Sequence, residues 1–398
     1  MLSMGLATAA SASSVWTTPV PLDSNINQSF TDYWPCISAD GRRLYFSSTR
    51  SGGYGDEDIY YSDWDSIAQS WSEAVNCSTG VNTLMREFSP AITSDGSRLY
   101  FVSSRGGGYS DWDVWYSDWD ADSGRFLSAV NAGPNINTVC VEWSVAISND
   151  MKTLYVASGY FPGHACDLET LKFSRWNEID SAWGPSDYVP FQQIFPAQLE
   201  AASVTANGLT MAFQSWGGFS SLSPCFQGNY ELYTATWNGS AWDIITALCP
   251  PVNSPTFDGS PSLSADGRCL YFASSRDDPE HGSTDIYVSY NLGDTTYVVE
   301  YPSDVLPSEL TSQNYPNPFN LSTVIEFNLP LPAQVSCTIY NSQGRTVIEL
   351  IDKNFSSGRH VLRWDGTDSS GQTVASGIYL YVIDYLGTRI VRKMTLIK

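Results

Sequence analysis

Five acidic residues recur at nearly constant spacing in this chain: Asp32, Glu87, Glu142, Glu200 and Asp258, separated by 55, 55, 58 and 58 positions. A carboxylate held at a repeated place can pair with a cation, keep a proton and donate it, or bind a ligand. Three of the five are followed 18 residues later by an arginine: Asp32 by Arg50, Glu87 by Arg105 and Asp258 by Arg276. These read as ion pairs that brace the repeat. Glu142 and Glu200 have Tyr160 and Gly218 at the arginine position, with Trp216 close by. They lose the expected partner, so a raised carboxyl pKa, a cation or a ligand must compensate. The same two copies carry altered loops, GYFPGHAC at 159–166 and SWGGFSSLSPCF at 215–226. Aromatic rings beside carboxylates make a surface suited to sugars or peptides. The candidate ligand-binding residues are therefore Glu142, Glu200, Tyr160, Trp216, His164 and Phe219, with Phe161 and Phe226 in the same loops. Cys166 and Cys225 sit in these loops and are candidates for a disulfide.

Other chemistry finds little support. The chain has three histidines, His164, His281 and His360, and no GxSxG, HExxH or P-loop motif. A serine triad or a three-histidine zinc site is not expected, and no metal or cofactor is assigned. Acidic runs such as YGDEDIYYSDWD read as solvated turns, because calcium needs six to eight converging oxygens. An enzyme reading remains as an alternative. Glycoside hydrolysis works with a pair of carboxyl groups, and Glu142 with Glu200 would be that pair.

Composition narrows the partners. The first 308 residues carry 12 basic against 35 acidic side chains, the remainder 8 against 7. A polyanion of this kind is a poor partner for nucleic acid. No run of 18 apolar residues is present, so no transmembrane helix is expected. The eight cysteines show no CxxC spacing. The start, MLSMGLATAASASS, reads as a signal-peptide remnant with a small-residue Ala-Ser-Ala site, or as a disordered start.

The elements that must position the carboxylates come from an internal repeat. The turn recurs as SADG at 38, TSDG at 93, SNDM at 148, TANG at 205 and SADG at 264. Asp-Gly and Asn-Gly accept positive φ and favour two-residue hairpins; Met151 breaks the rule in the third copy. Each copy has a first strand before the turn, a second after it and a third, such as DIYYS at 58. A fourth begins with an aromatic: Trp16, Trp71, Phe126, Trp183 and Trp242. The aromatic motif first appears before any complete unit, and the last unit ends at Tyr290 without a fourth strand. A circle resolves both defects if Trp16 to Leu22 supplies the missing strand. The expected fold is all-β: a five-bladed β-propeller closed by its N-terminal strand, followed by a small immunoglobulin-like β-sandwich. All five carboxylates are expected to circle one mouth of the channel.

Residues 16–290 resemble the TolB-like, WD-like propeller family, whose repeats read S-x-DG-x-x-L-x-F-x-S-x-R followed by D-I-Y. Copies one, two and five match strongly; copies three and four lack the SSR end and the DIY start. The resemblance implies a binding scaffold and fixes no activity. The last ninety residues contain NYPNPFN from Asn314, Tyr340-Asn341 with Gly344, Trp364-Asp365-Gly366 with Gly371, Ser376-Gly377-Ile378-Tyr379, and the basic end with Lys393, Met394 and Lys398. These resemble the type A C-terminal sorting domain of bacterial type IX secretion, with its FlgD-like immunoglobulin-type fold. The resemblance implies the type IX machinery as partner of residues 314–398, and a secreted or outer-surface location.

The expected organisation is 1–14 signal remnant or disordered start, 15–291 propeller, 292–313 linker and 314–398 sorting domain. The preferred reading is a non-catalytic binding propeller for an extracellular glycan or protein ligand. The alternatives are a secreted carbohydrate-active enzyme and a structural cell-surface scaffold.

Overall fold

A computed structural model describes residues 16–28, 30–65, 68, 70–159, 166, 170–191, 198–216, 230–277, 283–291, 310–315, 317–319, 323–355, 358–364, 366–370 and 372–397. The signal-peptide reading lies outside them. The chain divides into two compact units, Met1–Asp65 with Ser70–Asn291, and Leu292–Lys398 with Ser66–Gln69.

The first unit contains five sheets, each built on four antiparallel strands, in chain order in four of them and with an N-terminal outermost strand in the last, and a short extra strand on three of them. Their innermost strands are Asp32–Ile37, Glu87–Ile92, Val141–Ile147, Gln198–Val204 and Asp258–Leu263. Each of these lies beside the next, and the last lies beside the first, so the sheets form a ring. We number the blades one to five from the inner strand at Asp32. The second strands are buried on both faces, as Leu44 (0%), Tyr45 (3%) and Phe46 (0%) show, because each sheet is covered by two neighbours. That is why the second strand reads as a nearly continuous apolar run.

The ring closes as the repeat register requires. Val20 and Pro21 pair with Val288 and Tyr287 of the last blade, and Trp16 bridges Asn291. Thr17 N donates to Tyr290 O at 2.9 Å, and Ser289 Oγ donates to Thr17 O at 2.7 Å. Serine hydroxyls add ties between inner strands. Val145 N donates to Ser89 Oγ, Ala201 N to Ser144 Oγ, Leu263 N to Ser203 Oγ and Ile37 N to Ser262 Oγ, at 2.9–3.2 Å.

Each hairpin turn is wound around its acidic or amide side chain. Asp40 Oδ1 accepts from Ser38 Oγ and Arg42 N, and Asn207 Oδ1 accepts from Leu209 N in the fourth copy. Gly41, Gly96, Gly208 and Gly267 hold positive φ, and Met151 takes the same conformation at φ 58°. On the other face, the glycine-rich loops of blades one and two wrap a buried aspartate. Asp113 accepts from Tyr109 N, Ser110 N and Asn131 Nδ2. A Cβ on Gly108 would stand 1.8 Å from the Asp113 carboxylate, which explains the glycine.

The second unit has a three-stranded sheet, Thr311–Tyr315, Thr323–Leu329 and Gly358–Trp364, and a four-stranded sheet, Thr346–Phe355, Ala333–Asn341, Gly377–Tyr385 and Thr388–Leu396. Its first strand starts at Thr311, so the stretch 292–313 is not all linker. Phe327, Ile339, Trp364, Tyr381 and Met394 form its core. The NYPNPFN entry is tied to the terminal strand: Thr395 N donates to Asn317 Oδ1 at 2.9 Å, Asn317 Nδ2 to Lys393 O at 3.1 Å and Phe319 N to Thr395 O at 2.8 Å.

Candidate functional site

Each of the five carboxylates heads an inner strand or follows its first residues, at the end where the loops between second and third strands also lie. All five are buried, with exposures of 0–6%. They do not line an open channel. The space enclosed by the inner strands is a cavity of about 90 Å³ with no charged residue in its wall among the described residues, from Trp34 to Ala265. The acids are instead folded back into their own blades.

In blades one, two and five the carboxylate meets its arginine. Arg50 Nη2 stands 2.7 Å from Asp32 Oδ1, Arg105 Nη2 3.2 Å from Glu87 Oε1 and Arg276 Nη2 2.7 Å from Asp258 Oδ1. These pairs lie within one blade, and the arginine side chains are only 6–16% exposed. The backbone N–H four positions before each acid supplies a second donor, from Gln28, Thr83 and Ser254. A serine opposite the acid supplies a third in two of them, Ser103 and Ser274.

Blades three and four solve the same problem differently. Glu200 lies opposite Gln214 in the ladder. Gln214 Nε2 donates to Glu200 Oε2 at 2.7 Å, and its Oε1 accepts from Ser260 N of blade five at 2.5 Å. Tyr230 Oη donates to Glu200 Oε1 at 3.3 Å. Gln214 stands opposite its acid as Ser48, Ser103 and Ser274 stand opposite theirs. Trp216 follows two positions on. Against the third strand, Ser215 faces Glu231 as Ser48 faces Asp58, so the acid and its glutamine sit one step out of the register of the other blades and the arginine position falls beyond Trp216, outside the described residues. Trp216 is 52% exposed and leans on Tyr230 with ring centroids 6.4 Å apart.

Glu142 has less. Thr138 N and Thr138 Oγ1 both donate to its Oε1, at 3.1 and 2.8 Å. Among the described residues its Oε2 is buried without a partner, and so is the indole Nε1 of the adjoining Trp143. Burial pushes the Glu142 carboxyl up to about 9, opposed by the Thr138 hydrogen bonds. At neutral pH this side chain holds its proton. Cys140, two residues earlier, is disulfide-bonded to Cys166. The Cys166–Cys225 pairing suggested by adjacent loops is therefore wrong, since Cys166 is already taken from within its own blade. Cys225, Tyr160, His164, Phe219, Phe161 and Phe226 lie outside the described residues.

A second set of residues escaped the spacing argument. Trp34, Phe88, Trp112 and Trp143 form a ring-to-ring series across blades one to three, with successive centroids 6.1, 5.3 and 4.6 Å apart. The Arg86 guanidinium lies over Phe88 and Trp112 and pairs with buried Glu57 at 2.7 Å. Trp34 and Trp143 follow the acid within the irregular register that starts each inner strand. Their varied identity at that position hides them from a repeat comparison. Tyr54, Tyr109, Leu84, Met85 and Val139 add exposed apolar side chains to loops of this same face, at 45–82%.

Five four-stranded sheets closed in a ring, with an appended two-sheet unit, define an all-β propeller protein that carries a C-terminal immunoglobulin-like domain. The C-terminal unit matches the family model of the FlgD Ig-like domain over residues 320–387. No curated protein matches the sequence. Among solved structures, the chain is similar to PorZ, a surface component of the type IX secretion system of Porphyromonas gingivalis, at 13% identity and TM-score 0.33. That overlap covers 92% of this chain and 60% of PorZ. The Dos1 propeller overlaps at 10% identity and TM-score 0.33, over 88% of this chain and 83% of that one. An oligogalacturonate lyase of Vibrio parahaemolyticus overlaps at 11% identity and TM-score 0.34, over 69% and 96%. This chain thus spans about three fifths of the PorZ chain. No helix long and apolar enough to cross a membrane occurs among the described residues.

Proposed function

We propose that the protein is an exported, non-catalytic binding propeller whose ligand, a glycan or a peptide segment, docks at the mouth over blades three and four. One observation carries this reading. Where three blades neutralise their acid with an arginine, blade three leaves Glu142 Oε2 and Trp143 Nε1 buried without partners among the described residues, and blade four exposes Trp216. With its proton held, Glu142 Oε2 is a donor like the indole N–H, so a ligand offering acceptors to both would satisfy them, and leaving them unsatisfied costs about 1–3 kcal/mol each. Trp216 would supply the stacking surface. Tyr160, His164 and Phe219 belong to the same proposal through their loops.

The burial of both Glu142 and Glu200 supports binding over hydrolysis. A hydrolase needs two carboxyl groups reaching one glycosidic bond. Glu200 is already engaged by Gln214 and Tyr230.

Export belongs to the second unit in this reading. Residues 314–398 combine the NYPNPFN entry, the Trp364-Asp365-Gly366 turn and the basic terminal strand of type A sorting domains, and Asn317 and Phe319 bind that terminal strand directly. The propeller is read as TolB-like on its repeat motif.

Glycan arrays and surface-peptide pull-downs with the full chain test the site. Trp216→Ala and Glu142→Leu should each lower retention of the captured ligand at least ten-fold. Retention unchanged in both variants would end the assignment to this mouth.

A further inference from the structure

The opposite face of the propeller holds a second cavity, of about 320 Å³, between blades three and four. Its origin lies in two departures from the repeat. In blades one and two an arginine opens the second strand and an aspartate faces it on the third: Arg43 pairs with Asp63 and Arg98 with Asp118, both at 2.6 Å. Each guanidinium lies over a tyrosine of the third strand, Tyr61 or Tyr116, 4.3 and 4.1 Å from the ring centre. In blade three Thr153 faces Arg175 in that register. The aromatic ring is kept as Phe173, with the Arg175 guanidinium 5.4 Å from its centre, but the carboxylate has been replaced by the cation. Among the described residues no carboxylate lies within ion-pairing distance of Arg175.

The second departure makes the room. At other junctions an aromatic of an outer strand packs on a second-strand tyrosine: Phe126 on Tyr45, Trp183 on Tyr100, Trp71 on Tyr271, with centroids 6.2–6.5 Å apart. Trp242 is the equivalent residue for Tyr155, yet Tyr155 makes no ring contact among the described residues. The gap is the cavity. Tyr155, Phe173 and Trp237 line it, Arg175 stands at its wall, and the turn amides Asn149 and Asn207 lie at its rim. Asp150, also at the rim, has its Oδ1 occupied by Ser148 Oγ and Lys152 N.

We propose that this cleft binds a carboxylate-bearing saccharide, a uronate unit whose carboxyl group takes the place of the missing aspartate against Arg175 while its ring stacks on the aromatic wall. Arg175 is exposed, and the acid that the register brings beside its ring, Asp187 opposite Phe173, makes no ion pair with it among the described residues, so its planar fork is open to a carboxylate. Three aromatic rings and turn amides suit the apolar face and hydroxyls of a pyranose. The volume is at the small end of ligand pockets, about 300–1,000 Å³, which fits a short stretch of sugar. This site is independent of the mouth proposed above.

The test is titration of the full chain by calorimetry with trigalacturonate and with galactotriose, its uncharged counterpart. We expect saturable binding of the charged trisaccharide, at least ten-fold tighter than the neutral one, with Arg175→Gln losing that preference. A paired variant, Thr153→Arg with Arg175→Asp, restores the arrangement of blades one and two; it should fold normally and lose binding. Equal affinity for both sugars, unchanged affinity in Arg175→Gln, or no saturable binding by folded protein would each overturn the proposal.

Discussion

The same charged residue types have opposite energetic weight in this molecule, depending on where the repeat puts them. Arg50 and Asp32 are withdrawn from water, and Arg50 also donates to Ile26 O at 2.6 Å. Arg50→Ala leaves a buried carboxylate alone and should destabilise the propeller by about 3–5 kcal/mol in urea unfolding. The Arg43–Asp63 pair is as short but 30% and 51% exposed, so Asp63→Ala should cost less than about 1 kcal/mol in the same assay. Glu142 gives the third case. Its carboxyl holds a proton up to about 9 in the folded protein and releases it near 4.5 when unfolded. Unfolding therefore releases a proton between those values, and the stability this proton provides is complete below 4.5 and is lost as pH rises to 9. Glu142→Gln cannot titrate. Between pH 4 and pH 7 its stability should improve relative to the parent by about 2–3 kcal/mol, read from denaturant midpoints at each pH.

At the scale of the strand and turn, the repeat was readable because each turn needs a particular backbone. Asp-Gly and Asn-Gly occur where φ is positive, at Gly41, Gly96, Gly208 and Gly267. Met151 occupies the same left-handed place at a cost a glycine would avoid. Met151→Gly should raise stability by about 0.5–1 kcal/mol, measured as a shift in the unfolding midpoint of the whole propeller. The acid–arginine spacing was equally readable, since 18 residues bring the partners together in one blade. Spacing along the chain did not reveal that Glu200 sits one step out of the register of the other acids, which only strand pairing shows. Trp34, Trp112, Trp143 and Arg86 were missed for another reason. They meet across blades, and no period within one repeat encodes a contact between two. Arg175 was hidden because its meaning comes from the aspartate that is absent opposite it.

For the whole molecule, the decisive contact joins positions nearly three hundred residues apart. Removing the chain through Leu22 strips the outer strand from Asp285–Tyr290 and leaves an exposed apolar edge. That truncation should abolish a monomeric folded propeller, seen as aggregation or early elution in size-exclusion chromatography. The seam also orders events in time. On the ribosome or in an export channel, Trp16 to Leu22 emerges first and must wait, unpaired, until Tyr290 appears, so the fold locks only when nearly the whole propeller is available at once. If the protein is exported as proposed, the carrier handles either a wheel already shut or a thread that cannot shut until its passage is all but complete.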